Sequence, residues 1–116
     1  MTRIVPSDSL VNMPCSVVAV TCAAKTTPMG LSDYLDKLRD DGYASLDRAN
    51  RFIRDNVRVK KRINYVRSER VKLKDLHLDG EAVVCVKGHF LYLDHETYWS
   101  FFDNENDDVV TVWLMR

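Results

Sequence analysis

Four short runs of β-branched and aromatic residues crowd the last third of the chain and constrain its fold more than any other feature. The runs are Ala82–Val86, His89–Leu93, Thr97–Phe102 and Val109–Leu114. Short polar breaks separate them, and Asp79-Gly80 marks a turn ahead of the first run. Runs of this length and composition are typical of strands that are joined by short connections. The C-terminal part therefore predicts an antiparallel meander.

The first half of the chain shows helical spacing instead. Pro14 and the apolar run behind it predict a helix over about residues 14–25, because proline fits the first turn of a helix. The valines in this run also allow a strand. Leucines and a tyrosine at helical spacing predict a second helix that ends near Gly42, and Ser45 can cap a third helix that continues through Ile53.

A lysine-interrupted strand is predicted between the helices and the meander, over about Val57–Tyr65, and its lysines are typical of a sheet edge. Helices followed by strands predict an α+β fold, with N-terminal helices packed on a C-terminal antiparallel sheet. The chain has 116 residues, which fits a single domain over 1–116.

The formal net charge of +0 conceals a separation of charge along the chain. Residues 48–74 are strongly basic and residues 94–108 are acidic, with no Lys or Arg in the acidic range. A basic stretch of this kind is most often a solvated face, and the alternative is a site for an acidic partner or nucleic acid. Nucleic acid is the less favoured partner, since Tyr65 is the only aromatic residue between Asn56 and Glu69 and offers little stacking platform.

Three cysteines (Cys15, Cys22 and Cys85) cannot form a complete disulfide framework, and no two have CxxC spacing. This pattern favours a reducing cytoplasm and predicts neither a metal site nor a cofactor. No segment approaches the length of about 18 apolar residues needed for a membrane span, and the N-terminus does not resemble a secretory signal.

Cys15, His89 and Asp103 form the one constellation that predicts chemistry. Cys15 opens the first predicted helix, where unpaired N–H groups and the helix dipole favour a reactive thiolate. His89 opens one predicted strand and Asp103 ends the next, so a hairpin would bring the carboxylate beside the imidazole. Each residue also has a structural interpretation, since a cysteine among valines is often buried and Asp103 could simply begin a turn.

The order of these residues resembles the papain-like cysteine peptidases, and more narrowly the small papain-like proteins that bacteriophages encode. The motifs are Asn12-Met13-Pro14-Cys15 ahead of an Ala-rich helix, Gly88-His89-Phe90 at the start of a strand, and Phe101-Phe102-Asp103 at the end of the next. The resemblance implies a minimal papain-like fold and a Cys15-His89-Asp103 triad that hydrolyses peptide or amide bonds. The family usually places an oxyanion-stabilising Gln six residues before the cysteine. Ser9 stands there, and Asn12 is the nearby amide that could replace it.

The sequence thus supports two hypotheses about function. The first is a phage-encoded cysteine peptidase or amidase that acts on a peptide or protein in the host cytoplasm. The alternative is a catalytically weak or inactive papain-like protein that captures a host or virion protein partner. The position of Ser9 and the separated charges motivate this alternative.

Overall fold

The computed structural model describes residues 1–24 and 46–115, so the predicted second helix, its end near Gly42 and the cap at Ser45 lie outside the described residues. The described residues form an α+β structure, which confirms the predicted fold class. The helices are α1 (Cys15–Ala24) and α2 (Leu46–Asn56). The strands are β1 (Thr2–Ile4), β2 (Val59–Asn64), β3 (Glu81–Val86), β4 (His89–Asp94), β5 (Thr97–Trp99) and β6 (Val109–Met115).

Helix α1 begins at Cys15, one residue later than predicted. The backbone N–H of Val18 donates to the Pro14 carbonyl at 3.0 Å, which makes Pro14 the cap and Cys15 the first helical residue. The alternative strand over this run is excluded. The valines are tolerated in α1 because Val17 and Val20 are completely buried, so packing compensates for their modest helix propensity.

The strand order of the six-stranded sheet is β1-β5-β4-β3-β6-β2. Strands β3, β4 and β5 form a meander as predicted, but β6 pairs with β3 instead of β5. Both faces of β6 are buried, as Val112 and Trp113 show, and such a strand lies inside a sheet with a neighbour on each side. β2 lies at the edge next to β6, as its lysines predicted.

The prediction of a purely antiparallel sheet is wrong, because β1 pairs in parallel with β5. β1 has only three residues, all exposed, so its sequence carries no pattern of alternating burial. β5 is also shorter than the predicted Thr97–Phe102. The Ser100 hydroxyl accepts the Phe102 backbone N–H at 3.1 Å, and this local bond turns the chain away from the sheet.

The sheet has a separate hydrophobic core on each face. Helices α1 and α2 cover one face with Val17, Val20, Phe52, Ile53, Val83 and Trp113 at the centre. The segment from Leu73 to Leu76 covers the other face over Val84, Leu91, Leu93 and Val112. The buried indole N–H of Trp113 donates to Asn50 Oδ1 at 2.8 Å, which ties α2 to the sheet.

The basic and acidic segments meet in the fold at residues 71–74 and 105–109. Lys74 N–H donates to the Glu105 carbonyl, and Leu73 N–H donates to the Asp107 carbonyl, each at 3.0 Å. The Lys72 ammonium lies 3.9 Å from the Asp108 carboxylate and donates to the Asn106 carbonyl. The segments are thus joined mainly through backbone bonds. No helix in the described ranges is long and apolar enough to cross a membrane.

Candidate active site

Cys15 lies at the start of α1, where the helix leaves its first N–H groups without intrahelical partners. The chain enters the helix through a tight turn, in which Met13 N–H donates to the Leu10 carbonyl at 3.0 Å. The Cys15 side chain is half-buried and its thiol is free. The predicted placement of Cys15 at a helix N-terminus is therefore confirmed.

His89 begins β4, directly after the two-residue turn at Lys87-Gly88. Gly88 has φ +79°, a conformation that favours glycine and closes the β3–β4 hairpin. The alternation of β4 places His89 on the sheet face of Leu91 and Leu93, opposite the face that α1 covers. The half-buried ring packs edge-on against Phe102, with ring centroids 5.5 Å apart.

A cavity of about 520 Å³ at this end of the sheet reaches both Cys15 and His89. We call it the Cys15 cavity, and its lining comprises Val11, Met13, Cys15, Val18, His89, Phe90, Trp99, Ser100, Phe101 and Phe102. The wall is mainly apolar with few polar groups, as in many small-molecule and peptide sites. Val11 is 60% exposed and Phe102 is 64% exposed, so large apolar side chains also lie at its rim.

Cys15 and His89 share this cavity without a direct bond. Across residues 1–24 and 46–115, no hydrogen bond joins Cys15 Sγ to the imidazole. Proton transfer between them therefore requires closer approach or one intervening water.

The bond that His89 does make is to Ser100, whose hydroxyl oxygen lies 3.1 Å from Nε2. The Ser100 hydroxyl donates to Asn104 Oδ1 at 2.5 Å, and Asn104 Nδ2 donates to Asp107 Oδ2 at 2.8 Å. Ser100 and Asn104 are 1% and 4% exposed. We call Ser100, Asn104 and Asp107 the Ser100 relay.

The direction of these bonds fixes the tautomer of His89. The single hydroxyl hydrogen of Ser100 is given to Asn104 Oδ1, so the hydroxyl oxygen must accept a hydrogen from Nε2. Nδ1 then carries the lone pair and can act as a base. Burial lowers the pKa of His89 from its ordinary value of 6.5, while attraction to Asp107 partly opposes this shift. The imidazole is therefore neutral at neutral pH.

Asp103 makes different contacts from those predicted. Its exposed carboxylate accepts the backbone N–H of Glu105 at 3.1 Å and the Tyr98 hydroxyl at 3.4 Å. The first bond is an Asx turn, the structural interpretation that the sequence left open. In the described part of the chain, Ser100 is the hydrogen-bond partner of His89. The expected Asp103–His89 contact is thus replaced, because the chain leaves β5 three residues early.

Asn12, the predicted amide donor, is exposed in the turn before α1. Its neighbours Val11 and Met13 line the Cys15 cavity, and Asn12 is not part of that lining. Ser9, at the position where the family has Gln, is also exposed and its hydroxyl lies 3.1 Å from that of Ser7. Neither side chain is brought to Cys15 in this structure.

The other two cysteines are held in the thiol form. Burial raises the pKa of Cys22. Burial, followed by repulsion from a charged Cys15, raises the pKa of Cys85 to about 11, and attraction to Arg70 opposes the rise. Because only thiolates are strong nucleophiles, both are poor candidates for chemistry.

The sequence did not predict Ser100, Asn104 or Asp107 as members of the site. The signal for Ser100 lay in the hairpin register, because one further pair beyond Tyr92–Trp99 would set Ser100 opposite Leu91 and diagonal to His89, on the same sheet face. In the ranges that the structure describes, no group of three or more His, Cys, Asp or Glu is arranged to hold a metal ion. Comparison with protein-family models, curated proteins and solved structures finds no match for this chain.

Proposed function

We propose that the protein is a minimal papain-like cysteine hydrolase that cleaves a peptide or amide bond, with Cys15 as the nucleophile and His89 as the base. The observation that carries the proposal is the shared cavity at the end of the sheet, which is lined both by a thiol at a helix N-terminus and by a neutral, anchored imidazole. The sequence resemblance to papain-like proteins of bacteriophages supports the same assignment.

The proposed reaction begins when the Cys15 proton moves to His89 Nδ1, directly or through one water. The sulfur then bonds to the substrate carbonyl carbon. The N–H groups of the first turn of α1 are the donors for the developing oxyanion. They can stabilise its charge although neither Asn12 nor Ser9 reaches Cys15. As the C–N bond breaks, the imidazolium returns its proton to the leaving amine. Water hydrolyses the thioester, with His89 again accepting and returning a proton.

The Ser100 relay has a defined part in this proposal. Nε2–H donates to Ser100 in both protonation states of His89, so the ring keeps one orientation through the cycle. Asp107, at the far end of the relay, stabilises the imidazolium through its negative charge. Ser100 thus takes the orienting role that the resemblance to papain-like peptidases predicts for Asp103.

Alkylation of Cys15 by iodoacetamide tests the proposal without knowledge of the substrate. Peptide mapping separates Cys15 from Cys22 and Cys85, which serve as internal controls because burial holds their thiols protonated. We expect Cys15 to react faster near neutral pH than a free thiol of pKa about 8.5, and His89→Ala to abolish the excess. A rate equal to that of a free thiol, or one unchanged by His89→Ala, would contradict the proposal.

A second function, capture of a host or virion polypeptide without cleavage, is supported by two observations. Cys15 and His89 are not hydrogen-bonded in the described residues, and exposed Phe102 and Val11 give the cavity an apolar rim suited to a bound chain. Pull-down from a bacterial lysate with the parent protein and Cys15→Ala separates the functions. An intact partner retained equally by both favours capture, whereas a partner trapped or cleaved only by the parent favours hydrolysis.

A further inference from the structure

Two arginines on the basic part of the fold, Arg54 and Arg62, are held in place around one buried indole. The surrounding stretch, residues 51–67, carries seven basic residues and one acidic residue, Asp55. Six of the seven basic side chains are exposed, and Arg62 is half-buried. The stretch runs from the second half of α2 into the edge strand β2. The positive charge is therefore concentrated at this edge of the sheet.

Arg54 is held by a side-chain amide one turn earlier on α2. Its Nε donates to Asn50 Oδ1 at 3.1 Å, and the same oxygen accepts the Trp113 indole N–H at 2.8 Å. Two donors on this oxygen fix the orientation of the Asn50 amide, because its nitrogen cannot accept them. Arg54 is therefore tied through Asn50 to Trp113, which is completely buried.

Arg62 reaches the same indole from β2. Its guanidinium carbon lies 5.5 Å from the centroid of the Trp113 ring, in a cation–π contact. The strand register pairs Arg62 with Trp113 and so places both side chains on the sheet face that the helices cover. Arg62 Nε donates to Asn64 Oδ1 at 3.1 Å, and that oxygen also accepts the Thr111 hydroxyl at 3.1 Å. Stacking and a hydrogen bond thus fix the guanidinium of Arg62.

The two guanidinium groups are anchored in the same way and leave the same atoms open. Each uses Nε to bind a neutral amide oxygen. Across residues 1–24 and 46–115, the terminal nitrogens of Arg54 and Arg62 form no ion pair or hydrogen bond. In the same ranges, the buried side-chain atoms without a partner are the Thr21 hydroxyl and Arg70 Nε, so the terminal nitrogens of Arg62 reach solvent.

Terminal nitrogens of this kind form the planar fork that binds carboxylate or phosphate oxygens. Because Arg54 and Arg62 are already held by Asn50 and Asn64, little side-chain freedom is lost when such an anion binds. The arrangement thus presents two charged, oriented donors to an oxyanion.

The charge balance of the molecule favours an acidic polypeptide over nucleic acid as the occupant. Nucleic acids bind through many phosphates, and their bases stack on accessible aromatic rings. The chain has a net charge of +0, and its acidic segment is bonded to the end of the basic one. In residues 51–67 the aromatic residues are Phe52, which is buried, and Tyr65, which is half-buried. A polypeptide can bring a few carboxylates to an arginine cluster without a long row of charge.

From this arrangement we infer that Arg54 and Arg62 form a carboxylate-binding site for an acidic segment of a partner polypeptide. Asp or Glu side chains of the partner would bind the terminal nitrogens, and the exposed Arg58 and Lys60 would add attraction. The lining of the Cys15 cavity, as the described residues define it, contains no residue of α2 or β2. The inference therefore goes beyond the proposed hydrolase function and does not depend on it.

Retention of peptides on the immobilised protein tests the inference. One pool contains acetylated, amidated decapeptides with Asp or Glu at four random positions, and the matched pool has Asn or Gln at the same positions. We expect the acidic pool to be retained about tenfold more strongly, as charge-assisted hydrogen bonds would give. Combining Arg54→Gln with Arg62→Gln should remove most of this preference.

Three further variants separate the arginine pair from charge in general. Lys61→Gln removes one charge beside Arg62, on the opposite face of β2, and should keep the preference. Arg54→Lys with Arg62→Lys keeps the charge and loses the fork, so most of the preference should disappear. Arg54→Gln alone changes an exposed residue and leaves the stacking of Arg62 in place, so it provides the test if the double variant unfolds. Thermal unfolding checks that each variant is folded.

Four results would overturn the inference. They are equal retention of the two pools, a preference that survives in the folded double glutamine variant, one that survives in the double lysine variant, and one that Lys61→Gln removes as fully. A short DNA duplex that is retained more strongly than the acidic pool, and released by the same arginine variants, would overturn a polypeptide as the occupant. Cys15→Ala should retain the acidic pool as the parent does, so failure of this site is distinguished from failure of the hydrolase.

Discussion

Replacing Ser100 with alanine removes the hydroxyl that holds the His89 imidazole and leaves the rest of the site in place. The hydroxyl accepts hydrogen bonds from His89 Nε2 and from the Phe102 backbone N–H, and donates to Asn104 Oδ1. Ser100→Ala therefore leaves three polar groups without their partner, and Asn104 is only 4% exposed. The variant should lose both stability and Cys15 reactivity.

The two losses can be estimated separately. Asn104 is the buried member of these three groups. A buried polar group that loses its partner costs about 1–3 kcal/mol, and we expect the free energy of unfolding to fall by about this amount. A hydrogen bond to a neutral group is worth about 0.5–1.5 kcal/mol and one to a charged group about 1.5–3 kcal/mol. The Nε2 bond thus gains about 1–1.5 kcal/mol when His89 becomes charged, which corresponds to about tenfold in rate.

The assay is the rate of Cys15 alkylation by iodoacetamide at neutral pH, followed by peptide mapping, beside urea unfolding of the same protein. Ser68→Ala is the matched control, because Ser68 is exposed in a short helical turn remote in sequence from the relay. We expect about a tenfold lower rate for Ser100→Ala and an unchanged rate for Ser68→Ala. A Ser100→Ala protein that is destabilised but reacts at the parental rate would refute a role for the relay in positioning His89.

Three further predictions concern pH and stability. Because burial lowers the pKa of His89, the unfolded chain binds its proton more readily; the free energy of unfolding should fall as pH drops below about 6.5, and His89→Gln should reduce this dependence. Asn50→Ala should lower the free energy of unfolding in urea by about 1–3 kcal/mol, because it leaves the buried Trp113 indole N–H unpaired; an unchanged value would contradict that bond. Leu73→Ala should cost about 2–5 kcal/mol in the same assay, since Leu73 is completely buried; a loss below 1 kcal/mol would contradict a packed second core.

Local sequence patterns predicted much of the fold because they report local physics. The short break between the runs that form β3 and β4, the start of α1 and the edge position of β2 each depend on residues close together in the chain. The pairing of β6 with β3 was not predictable in this way. It depends on which strands bury both faces, and such burial is decided by elements far apart in sequence.

In the candidate site too, the residues with a local sequence signal were predicted and those positioned by the fold were not. Cys15 and His89 were found from their positions at the starts of a helix and a strand, and the cavity reaches both. The relay was missed because a side-chain bond from Ser100 ends β5 and redirects the following loop. Beyond that turn, the Asp103 carboxylate accepts the Glu105 backbone N–H in an Asx turn. Asp107 is the carboxylate that accepts a hydrogen bond from Asn104.

The basic and acidic segments of the chain are hydrogen-bonded to each other at this loop. Backbone bonds from Leu73 and Lys74 hold the carbonyls of Asp107 and Glu105, and Val109 N–H donates to the Val71 carbonyl at 2.8 Å. The end of the basic segment thus fixes the acidic loop, and the loop places Asp107 within reach of Asn104. The orientation of His89 therefore depends on contacts between segments more than 30 residues apart. A fragment that keeps Cys15 and His89 but lacks residues 104–109 would retain the proposed nucleophile and base without the bonds that hold the base in place.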